Sequence, residues 1–201
     1  MALTGILLAA GRGKRFDPSG VQNKLLHILA SGPHAGLPVV AASAKNMLAA
    51  VPRVLAVVRP GDDRVAALLG GLGCEVRVSE DADLGMGESL LTAIEHTRGA
   101  EGWLIGLGDM PWVRPDTLRA LAAMIERGAP DIHIAAPIFE GRRGNPVAFS
   151  SYHLPLLLAT GGEQGARAIV NSHAVRELVV DDAGVVRDVD TPFDLQGDLP
   201  A

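Results

Sequence analysis

Short apolar runs alternate along the chain with longer stretches in which apolar residues recur every three or four positions. The runs are LTGILLA (3–9), RVLAVVR (53–59), CEVRVS (74–79), GWLIGLGDM (102–110) and DIHIAAPIF (131–139), with RELVVDD (176–182) as a further candidate. Runs of this length suit strands covered on both faces, as in a parallel sheet. The stretches between them, LPVVAASAKNMLAA, DRVAALLGGL, ESLLTAIEHT and PDTLRALAAMIERG, carry helical spacing. The last of these has Pro115 and Asp116 in its first turn and Gly128 at its end, which are start and stop signals. Regular alternation of strand and helix predicts right-handed crossovers and an α/β fold: a three-layer, doubly wound, mostly parallel sheet. Ligands of such a sheet bind at the carboxyl ends of its strands.

The 201 residues suit one such domain over 1–201, with no internal repeat, low-complexity tract or linker. A net charge of -5 argues against a nucleic-acid surface or an anionic membrane surface, so any phosphate must be held by a local basic pocket. Cys74 is the single cysteine, which excludes an intrachain disulfide and a cysteine-based zinc cluster and fits a reducing compartment. The first apolar run lacks a basic region before it, and no run approaches the roughly 20 apolar residues of a membrane span. The expected location is the cytoplasm.

Several segments are candidates for chemistry. LLAAGRGKRF (7–16) runs from a strand into Gly-x-Gly and basic residues, a form that lets backbone N–H groups approach phosphate oxygens or that serves only as a turn. It is not a P-loop, which requires Ser or Thr after Gly-Lys. The connection from Arg12 to Gly36 is long, which fits either a functional loop or a surface excursion. Asp109, in LGDMP, ends an apolar run where a ligand belongs, and Asp190, in VRDVDTP, has Asp188 on its own side if that segment is extended. Carboxylates of this kind suit Mg²⁺, although Asp-Thr-Pro is also a common turn sequence. EGRRGNPVAF (140–149) fits an anion site through Arg142 or Arg143, or a basic hairpin. LGMGESL (84–90) and GGEQGARAIV (161–170) bring glycines to the start of apparent helices, where Ser89 could touch a base or simply cap, and Glu163 suits a helix dipole. The six histidines have no ligand spacing and read as structural or surface residues.

Taken in order, LLAAGRGKRF, KLL, LGMGESL, GDMP, GRRGNPVAF, GEQGAR and DVDTPFDL resemble the MobA-like nucleotidyltransferases, and most of all their molybdenum cofactor cytidylyltransferase branch. The resemblance implies a Rossmann-like nucleotidyltransferase fold, a Mg²⁺ cofactor, and transfer of CMP from CTP to the phosphate of molybdopterin with release of pyrophosphate. It places Leu8, Ala9, Ala10 and Gly11 under the base, wraps Gly11, Arg12 and Gly13 around the triphosphate, and turns Gly87 and Ser89 to the base. It makes Arg15 and Lys24 the catalytic cations, with Asp109 catalytic and also binding the metal together with Asp190. It puts Arg142, Arg143, Gly144, Asn145 and Glu163 on the acceptor side. Ala10 stands where the guanylyl branch carries glycine, which implies CTP over GTP. A molybdenum hydroxylase or its chaperone is the implied partner. Alternative readings are a GTP-using enzyme, a different phosphorylated acceptor such as a sugar or alcohol, and a non-catalytic cofactor carrier. Four positions depart from the family pattern: Asn23 replaces proline before Lys24, Phe16 replaces methionine, Asn145 replaces histidine and Glu163 replaces aspartate.

Overall fold

The computed structural model describes residues 3–127, 131–162 and 165–195. The elements follow the chain as β1 (Thr4–Leu8), α1 (Val39–Leu48), β2 (Arg53–Val58), α2 (Asp63–Gly71), β3 (Glu75–Val78), α3 (Met86–His96), β4 (Gly102–Leu107) and α4 (Pro115–Glu126). The hairpin β5 (Ile134–Phe139) and β6 (Arg142–Arg143) then leads to β7 (Val147–Ser150), α5 (Leu154–Leu158), α6 (Arg167–Ser172) and β8 (Arg176–Val179). All eight strands belong to one sheet in the order β3-β2-β1-β4-β7-β5-β6, with β8 on the free side of β5. β7 is antiparallel to both neighbours, while β1, β2, β3 and β4 are parallel, as are β5 and β8. The doubly wound, mostly parallel sheet expected from the pattern is therefore present.

Alternation along each strand divides the core in two. Leu7, Val54, Ala56 and Leu104 face α1, α2 and α4 through Met47, Leu69 and Leu121. Ile6, Leu55, Trp103 and Phe149 face α3, α5 and α6 through Ile94, Leu157 and Val170. Chain order reverses between β1, whose crossover leads to β2, and β4, whose crossover leads to β5. The carboxyl ends of these two adjacent strands thus form the switch point at which such sheets bind ligands.

Strand and helix ends differ from the pattern by a few residues, for reasons visible in the contacts. The last run stops at Val179 rather than Asp182, because Asp182 turns inward and caps α4. Its Oδ2 accepts from Arg114 N at 2.9 Å and from the Thr117 hydroxyl at 2.7 Å. The α4 stop signal at Gly128 lies outside the described residues.

At the opposite edge of the sheet from Asp109, the rings of His133 and Tyr152 stack at 4.1 Å and His153 meets His173 edge-on at 5.0 Å. His153 is buried, and its Nδ1 has no hydrogen-bond partner among the described residues. Burial first, and then the neighbouring His173 and His133, hold its pKa below the ordinary 6.5. A histidine lowered in the folded state contributes stability that is complete above the unfolded value and declines as pH falls through it, because unfolding then takes up a proton. Urea midpoints measured at about pH 7.5 and about pH 5.5 are expected to fall with acidity, and His153→Phe to lessen the fall. An identical fall in both proteins would remove His153 from the account.

Candidate active site

The long connection after β1 is built as an ordered cover. Phe16 and Leu29 pack with Val39 and Ala42 of α1, Trp112, Val189 and Leu195 into a small third core. That core brings a loop from the beginning of the chain against a segment from its end. Within the loop a 3-10 turn at Lys24–Leu26 is capped by Asn23, whose Oδ1 accepts from Leu25 N at 3.0 Å and whose Nδ2 donates to Asp62 at 3.2 Å. Asn23 therefore fixes the turn by hydrogen bonding, where proline would fix it by restricting the backbone.

The turn delivers Lys24 into the protein, where the residue is only 8% exposed. Its Nζ donates to Asp109 Oδ2 at 2.6 Å and to the Val189 carbonyl at 3.0 Å, with Asp190 Oδ1 at 3.6 Å. Arg15 pairs with Asp190 Oδ2 at 2.6 Å from a largely exposed position. The main chain braces the arrangement, since Val189 N donates to the Asp109 carbonyl at 2.8 Å. Asp194 shapes the next turn by accepting from Asp190 N at 3.0 Å and from Thr191 N at 2.6 Å. Although burial pushes the Asp194 carboxyl up, these hydrogen bonds carry it below its ordinary value.

Asp188 joins Asp109 and Asp190, and one oxygen from each of the three lies within 4.8 Å of the others. Partial burial, reinforced by the charges of Asp190 and Asp109, raises the Asp188 carboxyl above its usual range. Asp109 Oδ1 is buried without a hydrogen-bond partner among the described residues. Three convergent carboxylates with a spare buried oxygen fit a hard divalent cation that keeps water or phosphate as its remaining ligands.

Beside this cluster lies a cavity of about 260 Å³, walled by Leu8, Ala9, Ala10, Gly11 and Arg12 on one side and by Gly85, Met86 and Ser89 on the other. Lys24 and Asp109 close its inner end. A methyl group built on Gly11 would touch nothing within 4 Å, and the Gly11 backbone does not require glycine, so the open space in front of it belongs to the cavity. Arg12 reaches across the mouth, donating from Nε to Asp83 at 2.6 Å, and Arg59 also donates to Asp83 at 3.2 Å. The Arg12 hydrogen bond is the main reason the exposed Asp83 carboxyl sits below its ordinary value.

Two residues expected at the base and phosphates, Gly13 and Gly87, do not line the cavity. Gly13 has φ 61°, and a methyl added there would lie 3.3 Å from the Lys24 stem. Gly87 packs against the turn at 161–162, where an added methyl would lie 2.5 Å from the Gly161 carbonyl carbon and where Gly87 N donates to the Gly162 carbonyl at 2.7 Å. Of the glycines around the start of α3, the one that lines the cavity is Gly85, at φ 139°, immediately before the helix.

The expected acceptor residues divide as well. A second cavity of about 520 Å³ shares Leu8, Met86 and Leu107 with the first and is lined by Arg143, Gly144 and Asn145. Arg142 does not line it, because successive residues of an extended strand point to opposite faces. Gly144 is also required by packing, since any side chain there would collide with the Val185 carbonyl. Glu163 lies outside the described residues. Arg167, the last residue of the GEQGAR motif, and Asn171 of α6, which no motif contained, line the same cavity.

The family model described as the MobA-like NTP transferase domain matches residues 5–178. The purine catabolism protein PucB of Bacillus subtilis is 31% identical over 207 residues, covering 94% of this chain and 92% of that protein. The crystal structure of Rv0371c from Mycobacterium tuberculosis has a TM-score of 0.80 at 31% identity, covering 98% of this chain and 96% of that one. A crystal structure of Rv0371c in complex with manganese has a TM-score of 0.74 at 29% identity, covering 98% and 97% of the two chains.

The two cations of the site differ in what their removal does to the fold. Lys24→Met leaves Asp109 half-buried without its counter-charge and is expected to cost about 3 kcal/mol in urea denaturation. Arg15→Met, at an exposed pair, is expected to cost less than about 1 kcal/mol. Equal losses would show that Lys24 burial is not what holds the loop in place.

Proposed function

The chain belongs to the MobA-like NTP transferase family and is a nucleotidyltransferase; starting from that, we propose that its donor is CTP and its acceptor the phosphate of molybdopterin. The observation that carries this reading is the convergence of Asp109, Asp188, Asp190, Lys24 and Arg15 at the sheet's switch point, beside a cleft that itself adjoins a second cavity.

An acceptor phosphate oxygen forms a bond to the α-phosphorus of CTP, the α–β bridge breaks, and pyrophosphate leaves. The attacking phosphate is ionised at neutral pH, so the site needs no general base, and no histidine lies among the residues that line the cleft. What the protein supplies is position and charge. Leu8 to Gly11 lie under the base and its ribose, with Ser89 opposite. Arg12 exchanges Asp83 for a phosphate oxygen and Arg15 turns from Asp190 toward the triphosphate, while Lys24, held by Asp109 and the Val189 carbonyl, adds its positive charge from the cleft wall. Asp109 and Asp190 would hold Mg²⁺, which would supply charge neutralisation and orientation of the triphosphate, and the crystal structure of the relative Rv0371c in complex with manganese supports a divalent cation. Asp188 stands beside these two as a further oxygen donor.

Ala10, which lines the cleft, supports CTP over GTP, since it carries a methyl group that would crowd a larger purine base. The product suits a molybdenum hydroxylase or its chaperone in the cytoplasm. Among the described residues no helix is long and apolar enough to cross a membrane. A non-catalytic carrier is disfavoured because it has no use for the combined set of carboxylates and cations.

Pyrophosphate release from CTP, Mg²⁺ and molybdopterin tests the reading. Asp109→Asn is expected to lower kcat about 10²–10³-fold, and a rate in the variant equal to wild type would refute catalysis at this site. Replacing CTP with GTP is expected to lower kcat/KM by about tenfold or more, and equal use of both would refute the role of Ala10. Gly11→Ala is expected to raise the KM for CTP while leaving the urea midpoint unchanged.

A further inference from the structure

At the mouth of the nucleotide cleft one carboxylate is gripped by two arginines from different segments. Arg12 follows β1, Arg59 directly follows β2, and Asp83 lies in the 3-10 turn Ala82–Leu84 just ahead of α3. Arg12 engages both oxygens of Asp83, with Nε donating to Oδ1 at 2.6 Å and a terminal guanidinium nitrogen meeting Oδ2. Arg59 donates to Oδ1 at 3.2 Å. Arg12 and Asp83 line the cleft and Arg59 does not, so Arg59 holds the carboxylate from outside it. All three side chains are partly open to water, and the charge of Lys14 also acts on Asp83.

A carboxylate offers a guanidinium fork the same pair of anionic oxygens that a phosphate group does. An arginine committed to one in this way cannot give the same donors to the other, so Asp83 and a phosphate compete for Arg12. A carboxylate displaced from its only cation would be stranded among like charges once the triphosphate arrives. Asp83 is not stranded, because Arg59 stays beside it. We infer that Asp83 is an internal competitor of the nucleotide's phosphates, and that Arg59 is the counter-ion that keeps Asp83 when a phosphate takes Arg12. Both are positioning residues, acting through Arg12 rather than on the reacting phosphorus. In the empty site Asp83 holds Arg12 across the mouth, and after transfer its return to Arg12 favours the departure of pyrophosphate. Because these pairs are open to water, the competition shifts affinity by a modest factor. The inference rests on the reading of this cleft as the nucleotide site and is independent of the acceptor and of the base.

The test is equilibrium dialysis of the full chain, in the presence of Mg²⁺, with CTP, GTP, inorganic pyrophosphate and cytidine. Asp83→Asn is expected to lower the Kd of CTP and of pyrophosphate about threefold to tenfold and to leave that of cytidine, which carries no phosphate, unchanged. Asp83→Glu, which keeps the charge, is expected to stay within about twofold of wild type. Arg59→Met is expected to raise the Kd of CTP about threefold in the wild-type background and to have no effect when combined with Asp83→Asn, where no carboxylate is left to receive. In pyrophosphate release Asp83→Asn is expected to lower the KM for CTP without raising kcat. The inference is overturned if Asp83→Asn leaves the Kd of CTP and pyrophosphate unchanged or raises it, or if it tightens cytidine equally. It is also overturned if Arg59→Met weakens CTP equally in both backgrounds, which would make Arg59 a direct phosphate ligand. If GTP and pyrophosphate respond to Asp83→Asn while CTP does not bind, the inference stands and the choice of CTP falls. If none of the three binds, both fall.

Discussion

A lysine ammonium buried at the edge of the sheet organises this molecule. Taking a charge out of water costs several kcal/mol unless it is paired and hydrogen-bonded. Lys24 meets that condition only when three segments are in place together: its own loop, Asp109 beyond β4, and the Val189 carbonyl beside Asp190. Because the Lys24 ammonium is satisfied by groups from residues 109 and 189, the loop cannot leave the site without exposing an unpaired carboxylate. The apolar contacts of Phe16, Leu29, Val189 and Leu195 supply the cohesion, and the ion pair fixes the register.

The same economy governs the two cavities. Glycines at positions 87 and 144 allow backbone to approach backbone, so the turn at 161–162 docks on α3 and the Val185 segment docks on the β6–β7 connection. Of the residues in those contacts, Gly144 lines the second cavity. Gly11 is different, because nothing in the protein occupies the space before it. Glycine thus serves two purposes at one site: closing gaps between segments, and keeping one gap open.

Much of the fold was legible along the chain. Five apolar runs became β1, β2, β3, β4 and β5, and the helical stretches between them became α1 to α4 with ends displaced by at most a few residues. The antiparallel insertion of β7 was less legible, because VAFS carries no mark of the direction in which it pairs. The short α5 was missed, since five residues hold too little pattern to register. Within the site, Asp109 stands at the end of an apolar run and Lys24 in a motif of the family, whereas the chain offers no local mark that Gly85 rather than Gly87 lines the cavity. Arg142 and Arg143 were indistinguishable in sequence, and strand geometry separates them by face.

By itself, then, the sequence determined the layered α/β architecture, the edge of the sheet where ligands belong, and the types of residue available there. These follow from periodicity and from local chemistry, both of which act over a few residues. Only the tertiary structure decided that Lys24 lies buried between Asp109 and Asp190, that Asp188 completes a trio of carboxylates, and that Arg167 and Asn171 face the same cavity as Arg143 and Asn145. Those groups are separated by tens of residues, and no local pattern encodes a distance across a sheet. They meet because burying apolar surface on both faces leaves the chain one compact way to bring its loops over the switch point.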